Sequence, residues 1–323
     1  TKDVTSQKFA EQRLITNARI SQILSESDSL EEACEAVLKT LCDYFDSDVG
    51  EIWLGEEALS CVSFYARINP PSLEKFRAVA LDLKLSPGEG LPGYVWKTRK
   101  PVWLEDIHND TPFMRSGPGR ELGLESGFGL PIFSRGRCRG AIVLFSKEKV
   151  IPDNSLRVMM SSIGHKLGQF IERVEQQEMN EHLASVIEAS HDAVASADLD
   201  DIIRSWNKGA ESLFGYTAEE AIGSPVSIIV PKRAFAARNR RIDRIKNGEN
   251  IEPFETTRLT KSGEIIHVSL SFSPVHDARG HLIAVAAIAR DITKRKVAEQ
   301  QLKVRIQQLQ AISDIGIMAL VSS

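Results

Sequence analysis

The chain is short of the residues that mark a secreted, membrane-spanning or metal-dependent protein. Its four cysteines, Cys34, Cys42, Cys61 and Cys138, form no C-x-x-C pair and follow no metal-ligand spacing. That argues against a disulfide framework and for a reducing compartment. Cys34 and Cys42 lie eight residues apart on the apolar face of a helix, the place of core residues. No apolar run is long enough to span a bilayer, and no signal peptide opens the sequence. Basic residues are not in excess: 40 Lys and Arg stand against 44 Asp and Glu, a net charge of −4, so there is no electrostatic footprint for nucleic acid. No grouping of residues has the pattern of a catalytic constellation. The first residue is Thr1, and "ISDIGIMALVSS" ends the chain inside a periodic apolar pattern; a piece of a longer protein is expected.

At 323 residues the chain is long enough for two domains, each with a core of its own. Helical spacing runs from about Gln7 to Phe45 in two pieces, with Asp28 or Ser29 as the cap of the second. Strands are expected at "GEIWL" and "SCVSFYA", and a hairpin through Arg135-Gly136-Arg137 in "ESGFGLPIFSRGRCRGAIVLFS". A helix is expected from about Asn154 to Ala189, with Val158, Met159, Ile163, Leu167, Phe170, Ile171 and Val174 on one stripe. Its charged middle has neither Gly nor Pro, as in a stiff connector, and the domain boundary is placed there.

Beyond it, Asn207 is placed to cap a helix ended by Gly215, and "TAEE" (Thr217 to Glu220) is a capping box. "AFAARNRRIDRIKNG" reads as a further helix, with the arginines from 238 to 244 on a solvated face. Three strands follow, "FETTRLT", "EIIHVSLSFSPVHD" and "HLIAVAAIARDIT", and a polar helix leaves from "KRKVAEQQLKVRIQQLQAI". Short helices among antiparallel strands give an α+β class and argue against a doubly wound sheet.

"GEGLPGYVWKTRKPVWLEDI" holds a G-x-G-x-x-G in Gly88, Gly90 and Gly93. A dinucleotide site needs a long helix after these glycines and a returning parallel strand. Here Pro101 ends the helix within about ten residues, and Glu89 sets a carboxylate where a pyrophosphate would sit. The glycines are expected to build a turn.

That same stretch, with "GLESGFGLPIFSRGRCRGAIVLFS", resembles the signature of GAF domains over residues 28–174. "DAVASADLDDIIRSWNKGAESLFGYTAEEAIG" and "SLSFSPVHDARGHLIAVAAIARDITKRK" resemble PAS domains over residues 187–295. The resemblance implies two small sensory domains, each an antiparallel sheet flanked by helices. Residues 1–27 would be an N-terminal helix, 175–186 a helical linker and 296–323 a signalling helix at the start of a next domain.

Ligand chemistry of these families carries over only where residues match. No Cys follows Cys138, as a flavin photoadduct requires, and "AFAARNRRIDRI" has no His for haem. The bilin-attachment setting and the Asn-Lys-Phe-Asp-Glu motif of cyclic-nucleotide GAF domains are missing. The cofactor is therefore unknown; a non-covalent flavin, haem in another geometry, a metabolite and no ligand all stay open. His191-Asp192 resembles a histidine-kinase phosphoacceptor box only superficially.

Alternation puts Ile266, Val268, Leu270 and Phe272 on one face of a strand and Ile265, His267, Ser269 and Ser271 on the other. One face lines the PAS cavity. His267 and Ser269, with Trp206, are the candidate ligand contacts; the alternative is that the polar set meets solvent or the connecting helix, and that Trp206 is core. Trp96 and Trp103 are expected to pack the GAF domain. Asp291 and Thr293, in the "DIT" before the last helix, are the candidate signal-transmitting residues. The resemblance implies a cytoplasmic sensory module of a two-component or cyclic-di-GMP signalling protein. It would have no active site of its own, would pair in parallel as a homodimer through its linker helices, and would act on an effector, a histidine kinase first. A ligand-free dimerisation and spacing module is the other reading.

Overall fold

Helix α1 (Lys2–Glu26) and helix α2 (Leu30–Phe45) are separated at Ser29, whose extended backbone and Oγ, accepting from the amide of Glu32, start the second helix. The computed structural model describes residues 2–109, 115–149 and 154–321. The chain divides into two compact units, Thr1–Met179 and Asn180–Ser323.

After α2, the first unit continues through β1 (Val49–Leu54), β2 (Leu59–Ala66), α3 (Leu73–Asp82), β3 (Lys84–Leu85), α4 (Gly90–Thr98) and β4 (Val102–Leu104). Then come α5 (Ser116–Glu121), β5 (Ser126–Ser134), β6 (Arg137–Ser146) and the long α6 (Asn154–Glu188). The strands form one antiparallel sheet in the order β3-β2-β1-β6-β5-β4. Both faces of this sheet are covered. Ile52, Leu130, Ile142 and Leu144 pack with residues of α1, α2 and α6, while Val49, Trp53, Val143 and Phe145 pack with α3 and α4. Two covered faces explain why "AIVLF" in β6 is apolar without alternation.

Along α6, Met159, Ile163, Leu167, Phe170, Ile171 and Val174 are buried as expected. Val158 is not: it is 72% exposed, and Met160 is buried instead. The two positions are about 200° apart around a helix, so only one can join the stripe.

The glycine loop is a turn. Gly88 and Gly90 take φ values of +99° and +62°, which a side chain resists. Gly93 lies so close to the Ser86 carbonyl that a Cβ would meet its oxygen at 2.4 Å. The Glu89 carboxylate accepts from the Ser86 amide at 2.8 Å, filling the loop from within.

The second unit holds β7 (Ala193–Asp198), β8 (Ile203–Trp206), α7 (Lys208–Phe214), α8 (Ala218–Ala221) and α9 (Phe235–Lys246). They are followed by β9 (Phe254–Leu259), β10 (Ile265–His276), β11 (Leu282–Asp291) and α10 (Thr293–Val321). Its antiparallel sheet has the order β8-β7-β11-β10-β9, with the last two strands of the chain in the middle. Asn207 caps α7, Gly215 ends it at φ +80°, and Thr217 with Glu220 closes the capping box of α8. The α+β class, with two antiparallel sheets and flanking helices, is as the sequence implies.

Candidate functional site

The site grows from alanines. On the paired central strands of the second sheet, Ala193 faces Ala289, Ala195 faces Ala287 and Ala197 faces Val285. Methyl groups set opposite one another leave space that larger side chains would fill. Together with Trp206, Phe214 and Phe272 they line a cavity of about 60 Å³.

Two arginines reach the same cavity. Arg238 stands on the buried stripe of α9, four residues before Ile242 and seven before Ile245. It is held by Asp201 through two 2.7 Å hydrogen bonds, from Nη1 to Oδ2 and from Nη2 to Oδ1. Arg258 lies on β9 opposite Ile266 of β10, so it shares the core face of the sheet. It is 4% exposed.

The placement corrects the expectation for the polar face of β10. Ile266, Val268 and Leu270 are buried and Leu270 and Phe272 line the cavity, whereas His267 is exposed and Ser269 half-buried on the opposite face. The reason is that the cavity lies on the side covered by α7 and α9, and alternation sends His267 and Ser269 away from it. Trp206 does line the cavity, and its Nε1 donates to the Tyr216 carbonyl at 3.0 Å. The expected solvated arginine face is corrected at Arg238, which is buried; Arg240 and Arg244 are exposed, and Arg241 stacks over the Phe254 ring at 3.8 Å. Both missed arginines had a signal. Arg238 has the helical spacing of Ile242 and Ile245, and Arg258 has the period-two spacing of Phe254.

His267 has a different place. Its amide donates to Thr293 Oγ1 at 3.0 Å, and its carbonyl accepts from the Ile292 amide at 2.9 Å. Asp291 Oδ1 accepts from the Thr293 amide at 2.7 Å, where α10 begins. Glu255 of β9 adds ion pairs to Arg295 and Lys296, each at 2.5 Å, and these cations hold its carboxyl below the usual range. Asp192 is paired with Arg290 at 2.6 Å, which likewise keeps its carboxyl low.

In the first unit, Glu51 of β1 is fully buried and meets Arg115 through two 2.7 Å hydrogen bonds. Arg115 also lies over the Phe76 ring at 4.2 Å. The cavity beside it is about 10 Å³, space for one water at most. Trp96 donates to the Cys138 carbonyl and Trp103 stacks on Phe128 at 4.6 Å, so both pack this domain. Cys34 and Cys42 are buried, and burial pushes both thiols up to about 12. Among the described residues no three His, Cys, Asp or Glu side chains gather as a metal site, and no helix is long and apolar enough to cross a membrane.

Residues 27–172 match the GAF domain family, and residues 187–297 match the PAS fold family. The methyl sulfide methyltransferase-associated sensor of Methanosarcina acetivorans is 24% identical over 98% of this chain, which spans 32% of that protein. The signal transduction histidine-protein kinase AtoS of Escherichia coli is 24% identical over 41% of this chain, which spans 20% of it. The chain thus has about a third or less of the length of these relatives. Among solved structures, a GAF domain from an Acinetobacter phosphoenolpyruvate-protein phosphotransferase is 20% identical, covering 52% of this chain and 97% of that one with a TM-score of 0.43. A PAS domain from Colwellia psychrerythraea is 29% identical, covering 36% and 98%, with a TM-score of 0.34. The two family matches follow one another along the chain, and α6 runs across the gap between them: this chain holds a GAF domain followed by a PAS domain.

Proposed function

We propose that this GAF–PAS pair is the cytoplasmic sensory module of a signalling protein, with a small molecule taken into the PAS cavity and the response carried out along α10. The observation that supports it most is the continuity of β11. Ala287 and Ala289 line the cavity, and two residues on Asp291 closes the strand and α10 begins. A ligand that favours one arrangement of the floor biases the start of that helix. The effector is proposed to be a histidine kinase first, then a cyclic-di-GMP synthase or phosphodiesterase. No catalysis is assigned to the segment itself.

Asp291→Ala tests the junction. It removes the acceptor for the Thr293 amide, and amide exchange from Lys296 to Leu302 is expected to quicken while exchange in β10 stays as it was. Equal exchange in both variants would remove Asp291 from the signal route. Acid should have a related effect through Glu255. A carboxyl held below its usual value in the folded state stabilises above its unfolded pKa, and that contribution is lost as pH falls through the folded one. Faster exchange at the start of α10 is thus expected below the usual carboxylate range and should be less pronounced in Glu255→Gln.

We also propose that the module pairs with a second copy of itself, in parallel, through its helices. Met179, Leu183 and Val186 of α6, and Leu302, Ile306 and Leu309 of α10, are exposed apolar residues in four-three spacing. That is the seam of a two-stranded coiled coil. Light scattering should give a dimer mass at micromolar concentration, and Leu183→Glu with Leu302→Glu should give a monomer. A monomeric parent would overturn the pairing.

A further inference from the structure

Arg258 is buried against the cavity, and among the described residues no carboxylate pairs with it. The charges that act on it are those of Arg238 and Arg241, both positive. Its described hydrogen bond runs from Nη1 to the Thr257 carbonyl at 2.9 Å, which uses one of five donors. Two carboxylates also line the cavity, and both are engaged elsewhere. Asp201 is taken by both Nη atoms of Arg238. Asp198 accepts from the amides of Asp200 and Ile202 and from Arg204 Nε. Burial, then the two neighbouring arginines, push Arg258 down to about 10, which still leaves it charged at neutral pH. A buried guanidinium is costly unless its donors and charge are met.

Apart from Ser196, whose hydroxyl is paired with that of Ser205, the rest of the lining is apolar: the alanine floor, with Trp206, Phe214 and Phe272 around it. We propose that the PAS cavity takes a small monocarboxylate with an apolar body, its carboxylate on the guanidinium of Arg258 beside Arg238 and its body against the alanine floor. The proposal rests on the sensing reading and names its ligand class. The planar fork of an arginine matches a carboxylate with two parallel hydrogen bonds. One unanswered guanidinium balances one negative charge; a phosphate dianion would bring a second charge into a lining that is mostly methyl and ring.

The experiment uses the whole 323-residue chain. Propionate, butyrate, their neutral amides propionamide and butyramide, and inorganic phosphate are titrated by calorimetry. Hydrogen exchange locates any binding. At least one acid is expected to bind at least tenfold tighter than its amide, with slowed exchange in β9 and β11. Arg258→Met should abolish that preference, and Arg258→Lys should retain part of it. If Arg258→Met does not fold, the comparison of acid with amide on the parent chain still decides. Equal affinity of acid and amide at this site would overturn the charge recognition while leaving the cavity a ligand site. Phosphate binding as tightly as the acids would overturn the monocarboxylate class. No binding of acid or amide at β9 and β11 would overturn the monocarboxylate proposal, while the sensing reading is decided separately by the Asp291→Ala exchange test.

Discussion

Glu51→Ala is expected to destabilise the GAF domain by about 3–5 kcal/mol, because it leaves the Arg115 guanidinium buried and unpaired. Arg115 is 6% exposed and Glu51 is not exposed at all, so bulk water does not replace the lost partner, and the adjoining cavity has space for one water only. The damage is not confined to the ion pair. Trp53 Nε1 donates to Glu51 Oε2 at 2.8 Å and would lose its acceptor as well. In a calorimetric scan the GAF transition should fall by roughly 10 °C for a domain of this size, with the PAS transition unmoved. Replacing both partners, as Glu51→Leu with Arg115→Met, should restore much of the loss, since a buried ion pair is often no better than apolar groups that fill its space. A fall of less than about 1 kcal/mol in Glu51→Ala would show that the pair behaves as a solvated surface bridge instead.

The second large effect is expected at Asn207. Its side chain is 2% exposed and makes four hydrogen bonds. Oδ1 accepts from the amides of Val194 and Ala210 at 2.8 Å each, joining β7 to the start of α7. Nδ2 donates to the carbonyls of Ile187 at 2.8 Å and Asp192 at 3.1 Å, joining the end of α6 to the same point. Asn207→Ala removes a helix cap, worth about 1 kcal/mol, and strands part-buried amides and carbonyls, so a total of about 2–4 kcal/mol is expected in the PAS transition. Asn207→Asp separates the two halves of the role. It keeps both acceptor contacts and loses both donors, setting a carboxylate against two carbonyls. Amide exchange at Ser185–Ala189 should then quicken more than exchange in α7. If the two regions respond alike, Asn207 is only a cap and does not tie the incoming helix to the sheet.

Local chemistry was legible at these junctions because it needs only near neighbours. Ser29, Asn207, Gly215 and the Thr217–Glu220 box act over one to four residues, and each stands where its type and spacing put it. The same holds for the glycine loop, where Pro101, Glu89 and the short helix mark a turn within a dozen residues of sequence. The family resemblance rested on such stretches too, and the GAF and PAS matches cover them.

The candidate site was legible only in part. Alternation separated Val268 and Leu270 from His267 and Ser269 without saying which set faced the cavity. The covering helices decide that, and they come from elsewhere in the chain. Arg238 and Arg258 carried periodic spacing, but a charged residue on an apolar stripe is outweighed by the expectation that charge stays in water. Asp201, 37 residues before Arg238, is what lets that guanidinium be buried. Glu51 and Arg115 are 64 residues apart, and nothing local to either marks the other as its partner. By itself, then, the sequence determined the caps, the turns, the helix and strand faces and the two families, all set by interactions within a few residues or by stretches of recognisable pattern. Only the tertiary structure decided which face encloses space and which buried charges meet, because burial and ion pairing depend on groups that the chain brings together from far apart.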